Sequence, residues 1–470
     1  MAAFARRPAA APISVSATAA VLWWADNLRE SAQSNGAGSA HSQSGPTRKR
    51  MLHLFLTSTT RFLGIALDAL FRSPDGVSRI SARRVLVMLG FIPVLALVQA
   101  IHWLGFLLDE VFFRGYRRVD IREPLFVLGV PRSGTTNLHA VLARDPRFTT
   151  FATWECLFAP SVSQRIFWRG VGRLDARVGS PLRRLLAMVE RRVFASLDDV
   201  HAMGLDTPEE DYFALLPVLS CFILALPFPR AAHLWRMGTF DRDMPPAERR
   251  RLLNFYADAL RRHLYVHGPD KRLLSKNAAF APLANSLAQA FPDARFLVCL
   301  RDPVQTVPSQ LSSIQGGLAF FGVPPDSAPI RARFIEQLAF YYDNLRELAE
   351  TGAPERTVTK TLPQLKQDLA GSVRDAYQRL GLPLDPSFSA TLEQATAPAR
   401  AYRSGHSYDL AQFGLEASVL ARRFAGAYAH PALAGTAPQG AGSGAPDNQE
   451  RHTVAAAAAM SIPAGSVPRC

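Results

Sequence analysis

The segment Pro124–His139, PLFVLGVPRSGTTNLH, constrains the fold of this chain most strongly. Leu125–Val130 is a short apolar run of strand-forming residues, which is typical of a parallel strand buried on both faces. Gly129 and Gly134 come next, and Thr135–Asn137 are suited to start a helix. A strand, a glycine loop and a helix in this order form a cradle of backbone N–H groups, and the helix N-terminus makes it positive. The segment therefore predicts a site for a phosphate or a sulfate.

The spacing of Gly129 and Gly134 is that of the nucleotide P-loop, but Thr135 stands where that loop carries its lysine. Arg132 lies inside the loop instead, and a guanidinium can hold a tetrahedral oxyanion through two hydrogen bonds. The loop is thus suited to phosphate or sulfate and poorly suited to Mg-ATP. An ordinary strand-to-helix turn is the alternative.

A second group of candidate residues follows about 140 residues later. Arg272–Asn277 reads as a strand that ends near Lys276, and Arg295–Leu300 reads as a strand followed by Arg301. Ser309 lies on the next predicted helix. Since the carboxyl ends of parallel strands present active-site groups at one edge of a sheet, we expect these side chains to lie near the cradle.

The motif Pro131–Thr136 resembles the 5′-phosphosulfate loop of the sulfotransferases, enzymes that use 3′-phosphoadenosine 5′-phosphosulfate. The segments Leu274–Lys276 and Phe291–Ser309 resemble the second half of that family's site. Trp154-Glu155, Pro208–Asp211 and the closing segment 406–415 are similar to a membrane-associated branch, related to the protein-tyrosine and glycan sulfotransferases. The resemblance covers roughly residues 105 to 430.

The resemblance implies that the donor nucleotide is a co-substrate, that no metal is required and that the site residues carry over. In the family, the strand-end arginine and the helix serine hold the 3′-phosphate, and the lysine stabilises the transferring group. The implied donor-binding residues are Arg132, Ser133, Gly134, Thr135, Thr136, Arg301 and Ser309. The implied catalytic residues are Arg132, Lys276 and Glu155. Asn277-Ala278 departs from the Ser/Asp-Pro expected after the lysine.

The acceptor hydroxyl needs a base, and Glu155 is the first choice because related enzymes carry a base glutamate near this position. Glu210 and His201 are the alternatives. Glu155 could instead have a purely structural role at the start of a helix. For Pro208–Asp211 the start of a helix is the favoured interpretation, because acidic side chains stabilise the positive end of a helix.

The expected fold is a three-layer α/β, P-loop-kinase-like domain with a parallel sheet of about five strands and a helical insertion. The expected division is a disordered or targeting segment at 1–50, a membrane-associated segment at 51–115, a sulfotransferase domain at 116–430 and a disordered tail at 431–470.

Residues 85–108 hold no charged side chain, and as a helix they would be about 36 Å long, against a hydrocarbon core of about 30 Å. Three interpretations are open: a tilted span, a helix pair inserted into one leaflet, or a helix packed on the catalytic domain. Membrane association is the expectation, with a carbohydrate, a lipid or another small molecule as the acceptor.

The net charge of +14 suits anionic partners such as nucleotide phosphates or a membrane surface. Nucleic acid is not an expected partner, because the chain has no zinc-finger spacing and no aromatic–basic ladder. The four cysteines are far apart and form no metal spacing. Two rival functions are a P-loop phosphotransferase with a drifted loop and a non-catalytic, membrane-anchored nucleotide-binding relic.

Overall fold

The computed structural model of the protein describes residues 44–71, 81–194, 204–324, 326–401 and 410–436. The predictions for the terminal segments 1–43 and 437–470, for His201 and for residues 406–409 of the closing segment lie outside the described residues.

Five parallel strands form one sheet in the order β2-β3-β1-β4-β5. The strands are β1 (Leu125–Gly129), β2 (Phe148–Thr149), β3 (Arg272–Asn277), β4 (Arg295–Leu300) and β5 (Thr357–Thr361). All five residues of β1 are buried, and Val127 lies in register with Lys276 on one side and with Leu297 on the other. This register brings the carboxyl ends of β1, β3 and β4 to the same edge of the sheet.

Helices cover both faces of the sheet and form the insertion between β2 and β3. The α-helices are α1 (Ser44–Phe71), α2 (Ala82–Phe112), α3 (Thr135–Leu142), α4 (Thr153–Phe158), α5 (Val162–Arg177), α6 (Pro181–Phe194), α7 (Ala232–Met237), α8 (Phe240–Asp243), α9 (Pro246–His267), α10 (Ala284–Ala290), α11 (Pro303–Phe320), α12 (Ala328–Thr351), α13 (Leu362–Gln367), α14 (Leu369–Arg379), α15 (Pro386–Ala401), α16 (Ala417–Arg423) and α17 (Ala425–Tyr428). The 3₁₀ helices are Arg114–Arg118, Asp211–Val218, Phe222–Ala225, Ala278–Leu283 and Leu410–Phe413.

Alternate residues of β1 face two different apolar cores, as expected for a strand buried on both sides. Leu125 and Val127 pack with α3, α13, α14 and α15. Phe126 and Leu128 pack in the larger core with α2 and with α9 to α12. The predicted three-layer α/β fold with a five-stranded parallel sheet is confirmed.

The helices α1 and α2 form an antiparallel pair on the catalytic domain. The rings of Phe55 and Trp103 meet edge to face, with their centroids 5.3 Å apart. Near the end of α2, the buried carboxylate of Asp109 accepts a hydrogen bond of 3.0 Å from Arg262 and caps the start of α5. Both helices are long and apolar enough to cross a membrane.

The strand β2 ends at Thr149, and beyond it Ala152 pairs with Pro208 in an isolated antiparallel bridge. Two local predictions differ from the structure. The helix after the glycine loop has Gly134, in a left-handed conformation, as its N-cap. The helix predicted to start near Pro208 is a 3₁₀ helix with Glu210 as its N-cap.

Candidate active site

The glycine loop turns sharply between β1 and α3, and close packing requires its first glycine. A Cβ atom on Gly129 would lie 2.5 Å from the carbonyl oxygen of Cys299 and 2.9 Å from Ser133 Oγ. Gly134 has a φ of +89°, which glycine adopts without strain. Arg132 also has a positive φ, +65°. A non-glycine residue held in this conformation is uncommon, so the loop fixes the backbone from which the Arg132 side chain projects.

The hydroxyl groups of the loop differ in what they can bind. Ser133 is fully buried, and its Oγ donates a hydrogen bond of 2.6 Å to the carbonyl of Val130. This bond braces the loop. Thr136 is exposed in the first turn of α3, where its hydroxyl can reach an anion at the helix N-terminus.

The residues predicted to bind the two ends of the donor nucleotide come together at the loop. Arg132 Nε lies 3.4 Å from Ser309 Oγ, and Arg301 Nη1 lies 3.4 Å from the carbonyl oxygen of Arg132. The carbonyl of Arg301 accepts a hydrogen bond of 2.5 Å from Tyr342, which fixes the strand end that carries the guanidinium. Two guanidinium groups and a buried serine hydroxyl therefore lie close together beside the loop, although they are up to 177 residues apart in the chain.

Lys276, at the end of β3, lies next to β1 and forms an ion pair with Glu210. The distance between Lys276 Nζ and Glu210 Oε1 is 2.5 Å, and the two side chains are 5% and 19% exposed. Of the three residues predicted as possible bases, Glu210 is therefore the one that contacts the predicted catalytic lysine within the described part of the chain.

The residues on either side of this ion pair share a buried hydrogen-bond network. The carboxylate of Asp211 accepts hydrogen bonds from Tyr256 at 2.5 Å, from Ser275 at 2.9 Å and from the side-chain amide of Asn277. Asn277 Oδ1 in turn accepts from the backbone N–H of Tyr212 at 3.1 Å. Burial raises the pKa of Asp211 to about 6, because these donors only partly replace water. The network clamps the 3₁₀ helix after Glu210 onto the strand that carries Lys276.

Glu155 lies in a different cluster, on α4. It is 1% exposed, and its Oε1 lies 3.2 Å from Arg165 Nε and 2.5 Å from His267 Nε2. His263 Nδ1 lies 3.5 Å from its other oxygen, which also accepts from the backbone N–H of Ala152 at 3.2 Å. Glu155 thus caps α4 and neutralises a buried arginine.

Electrostatics keep Glu155 ionised. Burial alone would raise the pKa of this carboxyl, but the neighbouring His263, Arg165 and His267 together hold it well below its usual range. Burial lowers the pKa of His267 and also that of His263. Arg165, in contact with Glu155, is the permanent positive charge in this cluster.

Glu155, His263 and His267 also place three possible metal-ligand atoms within 4.8 Å of one another. The donor set suits a divalent ion, but its surroundings do not. The guanidinium of Arg165 contacts Glu155, and Arg169 Nη2 lies 3.2 Å from His267 Nδ1. Two guanidinium groups repel a cation at this position, so we treat the cluster as a buried ion-pair network.

The sequence analysis missed the network around Asp211 and the cluster around Glu155. Asn277 was a usable signal, because it departs from the motif expected after the lysine and is the residue that bonds to Asp211. The i, i+4 spacing of His263 and His267 on α9 was a second signal. Their partner Glu155 lies more than 100 residues earlier, so spacing alone could not connect them.

The chain is similar to known sulfotransferases in sequence and in fold. A sequence model of the Sulfotransferase family matches residues 124–386, which hold the glycine loop, Lys276, Arg301 and Ser309. Omega-hydroxy-beta-dihydromenaquinone-9 sulfotransferase Stf3 of Mycobacterium bovis is 26% identical over 314 residues, which is 65% of this chain and 75% of that protein. The protein of the same name from Mycobacterium tuberculosis aligns to the same extent, again with 26% identity.

Two crystal structures share the fold. Sulfotransferase STF1 of Mycobacterium tuberculosis superposes with a TM-score of 0.59 at 23% identity, over 79% of this chain and 93% of that chain. Sulfotransferase STF9 of Mycobacterium avium superposes with a TM-score of 0.62 at 19% identity, over 86% of this chain and 95% of that chain. The family model covers more than half of the sequence, from β1 to the start of α15. The chain belongs to the sulfotransferase family, and the protein is a transferase enzyme.

Proposed function

We propose that this enzyme transfers the sulfuryl group of 3′-phosphoadenosine 5′-phosphosulfate to a hydroxyl group of a membrane lipid. The observation that carries the proposal is the convergence of Arg132, Arg301 and Ser309 beside the glycine loop. A donor with phosphate groups at both its 5′ and 3′ ends needs two anion sites, and these residues offer both.

The loop amides, the N-terminus of α3 and Arg132 would hold the 5′-phosphosulfate. Arg301 and Ser309 would hold the 3′-phosphate. Charge-assisted hydrogen bonds from guanidinium to phosphate are about twice as strong as neutral ones, so Arg301 is expected to carry much of the donor affinity.

In the transfer step, the acceptor oxygen attacks sulfur while the bond from sulfur to the phosphate oxygen breaks. The products are the sulfate ester and adenosine 3′,5′-bisphosphate. Negative charge builds up on the leaving phosphate, in a loose transition state like that of phosphoryl transfer. Arg132, Lys276 and the loop amides are the groups suited to neutralise it, and no metal is needed for that role.

We assign the general base to Glu210 and a structural role to Glu155. A base must reach the substrate proton through a hydrogen bond, and Glu210 lies 2.5 Å from the lysine expected at the transferring group. Glu155 is buried against Arg165 and has a strongly lowered pKa, so it is a poor proton acceptor. The acceptor proton would move to a Glu210 oxygen as the new bond from oxygen to sulfur forms.

A lipid acceptor is supported by two observations. The relative Stf3 is named for a hydroxylated menaquinone, a membrane lipid. In this chain, the 3₁₀ helix that follows Glu210 is held by the apolar helix α2: Gln99 Nε2 donates to the carbonyl of Leu216 at 2.8 Å, and Trp103 Nε1 to that of Pro217 at 3.2 Å. The catalytic carboxylate is therefore one short helix away from the segment proposed to attach the enzyme to a membrane.

The donor assignment is tested by calorimetric binding of adenosine 3′,5′-bisphosphate to the full chain, beside ATP with magnesium. We expect the bisphosphate to bind tightly, with an affinity that EDTA does not change. The affinity of Arg301→Ala should be roughly 10- to 100-fold lower than that of the wild type. The matched control is Arg122→Ala, whose side chain is 77% exposed and pairs only with Asp120 among the contacts described. Preferential binding of Mg-ATP would favour the phosphotransferase, and binding of neither by the folded chain would favour the relic.

The acceptor assignment is tested by transfer of radiolabelled sulfate to lipid. Omega-hydroxylated dihydromenaquinone is the probe, and the same quinone without the terminal hydroxyl is its control. Label in the organic phase only with the hydroxylated lipid supports the proposal. Transfer to a soluble sugar and not to lipid would contradict it.

A further inference from the structure

We infer that α1 and α2 hold the enzyme on one leaflet of an anionic membrane without crossing it, with both ends of α2 on the side of the catalytic domain. This inference deepens the membrane association proposed above and rests on it, but it does not depend on the donor site.

The first observation is that α2 buries polar side chains and exposes apolar ones. Its buried face includes polar residues, among them Arg84, Gln99, His102 and Asp109. On the opposite side, each exposed position from Leu86 to Phe112 carries an apolar side chain or a glycine. In a water-soluble surface helix the polar face is the exposed one. An extended apolar face of this kind marks a binding surface for an apolar phase.

The outer face of α2, by which we mean these exposed positions, is also large. Leu86, Val94, Leu97 and Leu107 are 73%, 60%, 61% and 59% exposed. The neighbouring helix α1 continues the surface with exposed leucines, such as Leu63 at 54%. Burying one such side chain contributes about 1.5 to 3 kcal/mol, so the pair of helices can supply a membrane affinity on its own.

The second observation excludes a span. Polar bonds join α2 to the catalytic domain along its length, from Arg84, which donates to the carbonyls of Phe321 at 2.5 Å and Pro227 at 3.2 Å, to Asp109, which bonds to Arg262. These two residues of α2 are about 38 Å apart along the helix axis, which is longer than the hydrocarbon core of about 30 Å. If α2 crossed the membrane, the domain bonded to it would enter the hydrocarbon core. The charged residues of that domain would then lose their contact with water, which is energetically unfavourable. A helix lying in the plane of the membrane keeps these bonds and buries only its outer face.

The third observation is charge. Exposed arginines flank α2 at Arg83, Arg114 and Arg118. The helix α5 starts where Ser163 bonds to the backbone of α2, and α6 follows it in the chain. Together these helices expose Phe167, Trp168, Arg173, Arg177, Arg183 and Arg184. Apolar side chains bordered by arginine match an anionic lipid surface, since each basic residue near such a surface contributes about 1 kcal/mol. A surface bordered by arginine is poorly suited to bind a second copy of this chain, because the chain itself is basic.

The attachment is tested by flotation of the full chain with vesicles of phosphatidylcholine alone or mixed with phosphatidylglycerol. We expect stronger binding to the anionic vesicles, weakened by salt. Leu97→Asp should lower the partition coefficient by about tenfold or more, because it places a charge on the inserted face. Val419→Asp, at a position that is 47% exposed on α16, is the matched control and should float like the wild type.

Bisphosphate binding by the same variants separates this inference from the donor site and confirms that they fold. Equal flotation of Leu97→Asp and the wild type would overturn the inference. The inference would also be overturned if the wild type did not bind vesicles and light scattering showed a dimer that Leu97→Asp dissociates. The outer face would then be an interface between two copies of the chain.

The topology is tested with single cysteines, Arg83→Cys and Arg114→Cys, in a Cys470→Ser background. The other three cysteines are buried. An impermeant maleimide is applied to spheroplasts and to inverted vesicles of the expression host. Labelling of both positions from the same side is expected. Labelling from opposite sides would show a span and overturn the inference.

Discussion

The ammonium group of Lys276 and the carboxylate of Glu210 lie 2.5 Å apart at the carboxyl edge of the sheet. The lysine comes from a central region of the sheet, and the glutamate is the N-cap of a 3₁₀ helix in the insertion. In the proposed mechanism, Lys276 would neutralise the leaving phosphate and Glu210 would accept the substrate proton. Sulfuryl transfer develops negative charge on the leaving oxygen and releases a proton from the attacking hydroxyl, so it uses a cation and a proton acceptor.

The first prediction separates Glu210 from Glu155. Glu210→Gln should keep bisphosphate binding and lower the transfer rate by on the order of 10²–10⁴, because it removes the proton acceptor. Glu155→Gln should instead lower the free energy of unfolding by about 3 to 5 kcal/mol, because Arg165 is left as a buried, uncompensated charge. The measurements are single-turnover transfer of labelled sulfate and chemical denaturation of each variant. Wild-type turnover in Glu210→Gln, together with a folded but inactive Glu155→Gln, would return the base to Glu155.

The second prediction concerns Asp211, which acts on the ion pair through its neighbours. Asp211→Asn replaces an acceptor of three hydrogen bonds by a group that must itself donate, so we expect a stability loss of about 1 to 3 kcal/mol. Turnover should fall more than bisphosphate affinity, because the clamp sets the position of Lys276 and Glu210, whereas Arg132, Arg301 and Ser309 are expected to supply most of the donor affinity.

The pH dependence of turnover tests this positioning role separately from stability, because a general loss of packing would not change the pH at which turnover falls. Because the pKa of Asp211 is raised to about 6, its charge is lost as the pH falls through that value, and the wild-type turnover number should fall with it. Asp211→Asn should lack this inflection. The conservative Tyr256→Phe, which removes one donor to Asp211, should retain a shifted inflection. An unchanged profile in Asp211→Asn would contradict the positioning role.

The parallel sheet of about five strands and the proximity of Arg301 to the glycine loop could be predicted because they depend on short, local patterns. The apolar run before Gly129 marks a buried strand, and Arg301 directly follows another. In a parallel sheet both must end at the same edge, so their proximity follows from the strand assignment alone.

The environment of each carboxylate could not be predicted in the same way. Glu155 and Glu210 both follow motifs that resemble the family, and both stand at the start of a helix. They differ in tertiary partners: Arg165 and His267 for one, Lys276 for the other. Those contacts depend on how the insertion from α5 to α9 folds back on the sheet, and no local periodicity encodes that path. For the same reason, the sequence leaves three interpretations of the charge-free stretch of α2 open, because its polar contacts with the catalytic domain involve residues far along the chain.

The third prediction is a loss of stability in mild acid, caused by buried histidines that fold in the neutral form. Burial lowers the pKa of His102 and His233 to about 4, and burial together with Lys276 lowers that of His139 to about 3. Each folded-state pKa lies below the ordinary value of about 6.5, so the unfolded chain binds more protons and stability falls as the pH drops below that value. At about pH 5.5 each of these histidines should lower the free energy of unfolding by about 1 kcal/mol relative to pH 7. Asp211, whose pKa is raised, stabilises the folded state over the same range and offsets part of this loss.

The test of this third prediction is urea unfolding of the wild type and His139→Gln at both pH values. His139 lies behind the glycine loop, where its Nε2 lies 2.8 Å from Thr150 Oγ1, and glutamine can keep a hydrogen bond there without titrating. The variant should show a pH-dependent loss smaller by about 1 kcal/mol, whereas the control His53→Gln, at an exposed position, should behave like the wild type. An equal loss in the wild type and His139→Gln would mean that this histidine does not fold in its neutral form. The acid sensitivity between these two pH values would then come from other buried histidines such as His102 and His233, because the lowered pKa of Glu155 removes stability only below its ordinary value of about 4.5.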